Sequence, residues 1–192
     1  MAAKTTSTAA QVYQLKITLR HSKPPIWRRL LVPSDMNLAK LHHVIQEVMG
    51  WTDSHLHQFK IGNIYYGTTY PDDFGGMPET RDERKARLNM LVSRLKAKFI
   101  YEYDFGDSWE HDVVLEKILP PESGIKYPLC IAGKRACPPE DCGGVWGYDN
   151  LLETIKDPNH PEHEDMVEWL GGDFDPEAFD VEAVNTALRR IR

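Results

Sequence analysis

The stretch Tyr101–Asp112, YEYDFGDSWEHD, decides how the rest of the chain is read. It holds five acids, four aromatic residues, one histidine and one glycine. Around it Phe99, Tyr101, Tyr103 and Phe105 share one face of a strand, while Glu102 and Asp104 share the other. Phe105-Gly106-Asp107-Ser108 reads as a tight turn. Trp109, His111, Val113 and Leu115 then share a face on a returning strand that runs to Leu119. The result is a hairpin with acids gathered at its turn. Asp104, Asp107 and His111 are therefore candidate catalytic residues, or members of a bonded structural corner. His111 points with apolar neighbours, where an imidazole acts as a ligand or proton carrier, or packs with its nitrogens satisfied nearby.

Working outward, Val12–Arg20 alternates with its apolar face on the odd positions, and Ile26–Val32 reads as its hairpin partner, ended by Pro33. Asn37 caps a predicted helix to Met49, whose Leu38, Leu41, Ile45 and Val48 form one stripe and whose C′ residue is Gly50. His55–Ile61 and Asn63–Tyr66 read as short strands, Gly67–Glu79 as a long loop, and Arg81–Lys96 as a helix. Pro120–Gly147 carries five Pro, five Gly and all three Cys, and reads as irregular. Tyr148–Lys156, His163–Leu170 and Val181–Arg192 carry helical spacing. The order predicts an α+β fold. It comprises an N-terminal ββαββ unit in β-grasp-like order, a further hairpin in one mixed sheet, and C-terminal helices packed against it. Residues 1–11 are expected to be a disordered N-terminus. Residues 12–192 are expected to be a single domain: sheet-rich over 12–119, loop over 120–147, helical tail over 148–192.

The chain has 192 residues, with 41% hydrophobic and 27% charged, as in soluble globular proteins. No apolar run approaches the roughly 20 residues that cross a bilayer, and Met1–Gln11 lacks a secretory h-region. A cytoplasmic address and no membrane partner are expected. The net charge of −6 disfavours a broad nucleic-acid embrace. Charge is uneven, however: Arg81–Lys98 holds seven basic residues and two acids, and Asp157–Glu182 holds ten acids and no Lys or Arg. These are solvated helical faces or, for the first, a basic docking patch. Cys130, Cys137 and Cys142 are too few and too close for a disulfide framework. They read as packed thiols or as three zinc thiolates without the C-x-x-C knuckle that marks structural zinc.

His55 and His57 form an H-x-H on a predicted strand, with Cα atoms about 6–7 Å apart on one face. Joined by Asp104, Asp107 or His111, they would make a hydrolytic metal centre. Glu140 and Asp141 lie in CPPEDCGG, where prolines stiffen and glycines permit positive φ, and this could hold both acids over a cleft. Arg28 and Arg29 lie on opposite strand faces. A half-buried guanidinium calls for a carboxylate, so a pair with Asp104, Asp107 or Asp141 is expected. Gly143-Gly144 lacks the context of a phosphate loop.

PPIWRRLLVP, LAKLHHVIQEVMGW, HLHQF, YEYDFGDSWEH, CPPEDCGG with GYDNLL, and WLGGDFDPEAFD run in order over nearly the whole chain. In these segments the chain resembles the plasmid pRiA4b ORF-3-like family, whose members also travel on mobile elements. The resemblance implies an α+β fold and names no reaction. The favoured functional expectation is a non-enzymatic interaction module with an unknown protein partner. The alternative is a divalent-metal-dependent hydrolase, phosphoesterase or nuclease-like, using His55, Asp104, Asp107, His111, Glu140 and Asp141. No cofactor is expected beyond that possible divalent metal.

Overall fold

The computed structural model describes residues 11–69 and 80–191. The expected disordered N-terminus up to residue 10 and most of the expected loop Gly67–Glu79 lie outside the described residues.

One mixed eight-stranded sheet carries the fold. In chain order its strands are β1 (Val12–Leu19), β2 (Trp27–Pro33), β3 (His57–Ile61), β4 (Ile64–Gly67), β5 (Thr80–Asp82), β6 (Lys98–Tyr103), β7 (Trp109–Leu119) and β8 (Leu129–Lys134). In space they run β5-β4-β3-β6-β7-β1-β2-β8. Only β4 and β5 are parallel; the other neighbours are antiparallel. The α+β class is as expected. The two N-terminal hairpins do not meet, because the β6–β7 hairpin stands between them.

The period-two pattern of β1 buries Tyr13, Leu15, Ile17 and Leu19. Helix α1 (Leu38–Met49) lays Leu38, Leu41, Ile45 and Val48 into the same core. Each fully buried side chain of this kind contributes roughly 1.5–3 kcal/mol. Asn37 accepts from the Lys40 amide at 2.9 Å to start α1, and Gly50 ends it at φ 92. Helices α3 (Gly144–Lys156), α4 (His163–Trp169) and α5 (Val181–Leu188) follow, with α5 contacting both α1 and β8.

Two expectations are corrected. Arg81–Lys96 is not one helix: it is the end of β5, a 3-10 turn at Glu83–Lys85, and the single helical turn α2 (Leu88–Leu91). Its backbone bonds go sideways rather than up a helix. Leu38 donates to the Ala86 carbonyl at 2.9 Å, Leu88 to Met36 at 3.0 Å, and Asn89 to Ser34 at 2.8 Å. Pro120–Gly147 is also less irregular than its composition suggests, because Leu129–Lys134 pairs with β2 as an edge strand. No helix among the described residues is long and apolar enough to cross a membrane.

Candidate functional site

Three connections meet at one end of the sheet: the β6–β7 turn, the loop Trp51–Leu56 after α1, and the segment Cys137–Gly143 before α3. Tyr103, the last residue of β6, joins them. Its buried phenol donates to Glu140 Oε1 at 2.5 Å and accepts from the amides of Ser54 at 2.9 Å and His55 at 3.3 Å. Burial, then the bond to Glu140, pushes this phenol well up, so it stays a donor. Glu140 Oε2 accepts from the Thr52 amide at 3.1 Å and its hydroxyl at 2.6 Å. Trp51 donates to the Pro138 carbonyl at 3.0 Å and stacks on Tyr103 with centroids 5.0 Å apart.

These clamps bring His55, Asp104 and Asp141 together, with one potential ligand atom from each within 4.8 Å of the others. His55 Nε2 lies 3.1 Å from Asp141 Oδ1 and 3.8 Å from Asp104 Oδ2. Asp104 is buried and takes the Gly106 amide on Oδ1 at 2.9 Å, whereas the Asp141 side chain is 69% exposed. Both aspartates hold positive φ, 57 for Asp104 and 60 for Asp141. Aspartate tolerates that region better than most residues, and such backbone gathers at functional sites. Asp107 does not join the trio. Its Oδ2 accepts the Gly143 amide at 3.1 Å and so ties the turn to the CPPEDCGG segment. Gly144 packs there so closely that a Cβ would meet the Asp107 carbonyl oxygen at 2.5 Å.

The H-x-H does not converge. His55 precedes β3, while His57 turns to Glu83 Oε2 at 2.8 Å and stacks flat on His42, with centroids 3.4 Å apart and planes 3° from parallel. His42 completes a second cluster. Its Nε2 lies 2.7 Å from Asp53 Oδ1 and its Nδ1 2.8 Å from the Tyr101 hydroxyl. The Asp53 carboxylate only accepts, so a neutral His42 ring donates to it through Nε2 and takes the Tyr101 hydroxyl proton on Nδ1, while the Tyr101 oxygen accepts from Gln46 at 2.9 Å. Burial, then neighbouring His57, lowers the His42 pKa to about 4 and keeps the ring neutral.

His111 lies fully buried against Trp51 and Tyr101, outside both clusters. Its ring nitrogens find no hydrogen-bond partner among the described residues, and burial drops its pKa to about 4. It packs as a core residue, with the Tyr101 and Trp109 backbones close enough to oppose part of that downward shift. The three cysteines are free and stand outside both clusters. Burial pushes all three thiols up, Cys142 to about 12, so they are held as thiols rather than thiolates.

The expected ion pairs of Arg28 and Arg29 with Asp104, Asp107 or Asp141 do not form. Arg28 is buried and bonds carbonyls instead, of Val48 at 2.7 Å, Trp27 at 3.0 Å and Lys134 at 3.1 Å, with its guanidinium 4.4 Å from the Phe179 ring. Arg29 grips Glu116 with both arms, at 2.6 and 3.0 Å, and this bond holds the Glu116 carboxyl below its ordinary pKa. Backbone carbonyls can satisfy the donors of a buried guanidinium in place of a carboxylate, though burial still lowers the Arg28 pKa whereas the Glu116 bond raises that of Arg29, and residue type alone does not distinguish the two cases.

Sequence reasoning missed Thr52, Asp53, His42 and Glu83, and it read Tyr103 only as packing. One signal was available: His42 and Gln46 stand four apart beside the apolar stripe of α1, a polar pair placed where a core flank should be.

A model of the family described as plasmid pRiA4b ORF-3-like protein matches residues 11–183. The chain is 40% identical over 181 residues to the uncharacterized protein y4hQ of Sinorhizobium fredii, covering 93% of this chain and 91% of that one. It also resembles the crystal structure of a protein of unknown function, MM3350 of Methanosarcina mazei Go1, with TM-score 0.83 and 46% identity over 92% of this chain and 97% of that one. By sequence over nearly its whole length and by fold, the chain belongs to the plasmid pRiA4b ORF-3-like family.

Proposed function

We propose that the protein is a divalent-metal-dependent hydrolase of the phosphoesterase class, with His55, Asp104 and Asp141 as metal ligands. The observation that carries this reading is the convergence of one imidazole and two carboxylates within 4.8 Å at a solvent-facing corner. Adjacent ligands of an octahedral ion with bonds near 2.1 Å stand about 3 Å apart, so the 3.1 Å between His55 and Asp141 already fits and the 3.8 Å between His55 and Asp104 needs a small contraction. Three protein ligands leave positions for water and substrate. A bound ion would lower the pKa of its water and polarise a phosphoryl oxygen. The chain's own residues do the positioning. Tyr103 and Glu140 hold the loop that carries His55, and Asp107 holds the segment that carries Asp141.

Metal-stripped protein should bind Mn2+ in calorimetry and gain cleavage of bis(p-nitrophenyl) phosphate. Asp141→Asn and His55→Ala should lose both while keeping the fold by circular dichroism. Mn2+ affinity unchanged in both variants would overturn the metal assignment; binding without cleavage would overturn the hydrolase.

A second reading, the interaction module, is supported by an open groove of about 600 Å³ between α3 and α4. It is lined by Leu152, Ile155, Val167, Leu170, Phe174 and Pro176. Trp169, half exposed on α4, lies nearby in sequence. This reading takes over if the corner binds no metal.

A further inference from the structure

We infer that His42, His43 and Asp53 form a second metal site, which takes a late first-row dication such as Zn2+ or Co2+. It shares no ligand with the corner of His55, Asp104 and Asp141, so it stands or falls separately from the proposed function.

One potential ligand atom from each of His42, His43 and Asp53 lies within 4.8 Å of the others. The Asp53 carboxylate sits between the two imidazoles, with Oδ1 2.7 Å from His42 Nε2 and Oδ2 3.3 Å from His43 Nδ1. Two imidazoles and one carboxylate suit zinc, cobalt or iron better than magnesium or calcium. Consecutive positions on α1 supply both histidines, and positive φ at Asp53, 59, turns the loop back onto them.

The surroundings hold the ligands in place. Tyr101 anchors the rear nitrogen of His42, and Gln46 bonds both the Tyr101 oxygen and, through Oε1 at 3.0 Å, the Asp53 amide. Outer bonds of this kind fix the ring orientation of metal-binding histidines. His57, held by Glu83, stacks against the same ring from one side. The front of the site is open: the His43 side chain is 57% exposed. A cavity of about 360 Å³ lined by His43, Gln46, Glu47, Asp53 and Arg190 adjoins it. That space accommodates water on the ion, with Glu47 and Arg190 of opposite charge on its walls.

The test uses the full chain, stripped of metal with a chelator. Co2+ is followed by calorimetry and visible absorption, and Zn2+ by two-bond 1H–15N NMR of the histidine rings. Saturating Zn2+ should shift the His42 and His43 ring resonances, moving the His42 ring proton from Nε2 to Nδ1. His43→Ala, at an exposed ring, should weaken this site by at least ~100-fold, beyond what loss of an outer partner produces. Unmoved His42 and His43 resonances would overturn the inference, as would a His43→Ala titration identical to wild type. Asp141→Asn should leave this site's resonances responsive and remove only the other binding event, so the two readings fail separately.

Discussion

The two metal-competent clusters use similar side chains and are built in opposite ways. His42 and His43 come from a twelve-residue helix, and only Asp53 comes from a loop. His55, Asp104 and Asp141 all come from turns and loops, two of them in left-handed backbone. The first cluster inherits its geometry from α1 and from a buried network behind it. The second depends on clamps, namely Tyr103–Glu140, Asp107–Gly143 and Trp51–Pro138. A helix places ligands by its own hydrogen bonds, whereas loops need each position tied separately. Asp53 and His55 share the loop Trp51–Leu56, so changes confined to ties outside that loop, such as Asp107–Gly143, should damage one cluster and spare the other.

Acid should produce the largest effect, and it should strike the helix-built cluster and the core behind it. His42 and His111 each have a folded-state pKa near 4, below about 6.5 for an unfolded histidine. Folding therefore favours the neutral rings. Their contribution is fully present above pH 6.5 and is lost as pH falls toward 4. For His111 alone the shift corresponds to roughly 3 kcal/mol. Urea midpoints between pH 7.5 and 4.5 should fall steeply, and His111→Leu should flatten part of that fall. A flat profile in wild type would mean that the two rings are protonated without cost.

Next comes Gly147→Ala, aimed at the loop-built corner. A Cβ at Gly147 would stand 1.9 Å from the Cys142 carbonyl oxygen, which is backbone and cannot swing aside. Cys142 must shift, and Asp141 shifts with it. Forced overpacking of this kind costs roughly 1–3 kcal/mol or more. Chemical denaturation should show that loss. Mn2+ binding at His55, Asp104 and Asp141 should disappear while Zn2+ still moves the His42 resonance. Loss of both sites together would show that the loops and the helix are one unit.

How much of this was readable beforehand differs along the same lines. β1, α1 and the β6–β7 hairpin were legible because each repeats one local rule: odd-position burial in β1, the cap at Asn37, and alternation from Phe99 to Tyr103. Arg81–Lys96 was misread because its backbone partners, Ser34, Met36 and Leu38, lie some fifty residues away and leave no periodicity behind. β8 was hidden by its neighbours' Pro and Gly. At the candidate site, His55, Asp104 and Asp141 were named from residue type and turn chemistry. Their convergence was not legible, because it depends on Tyr103 and Thr52 bonding Glu140 across long sequence separations. The pairing of His42 with Asp53 was lost for a related reason: Asp53 lies past the end of α1, at a turn whose direction is set by its positive φ.

Tyr101→Phe tests the rear support of the helix-built cluster. It removes the oxygen that His42 Nδ1 and Gln46 Nε2 both use in a fully buried setting. Leaving a buried polar group unpaired costs about 1–3 kcal/mol. The His42 ring should lose its fixed tautomer, visible in its 15N shifts, and Mn2+ binding at the corner should be unaffected. A stability change near zero would mean that Gln46 turns to bond His42 directly.

Tyr103→Phe is the mirror of that variant, and its effect on stability should be smaller. The phenol is buried, but its partner Glu140 is only half-buried and also bonds Thr52, so water and Thr52 can take up much of what Tyr103 leaves. About 1 kcal/mol is expected. The effect on the corner should be larger than the effect on the fold. The Ser54 and His55 amides lose the oxygen that aims His55 at the two aspartates. An outer partner of a metal ligand is worth ~10–100-fold in affinity. The calorimetric Mn2+ affinity should drop by that factor in Tyr103→Phe and stay unchanged in Tyr101→Phe. The reverse pattern would mean that the corner is rigid without its clamp. The contrast between helix-built and loop-built sites would then fail on its most direct point, because a loop would be holding its ligand as firmly as a helix does.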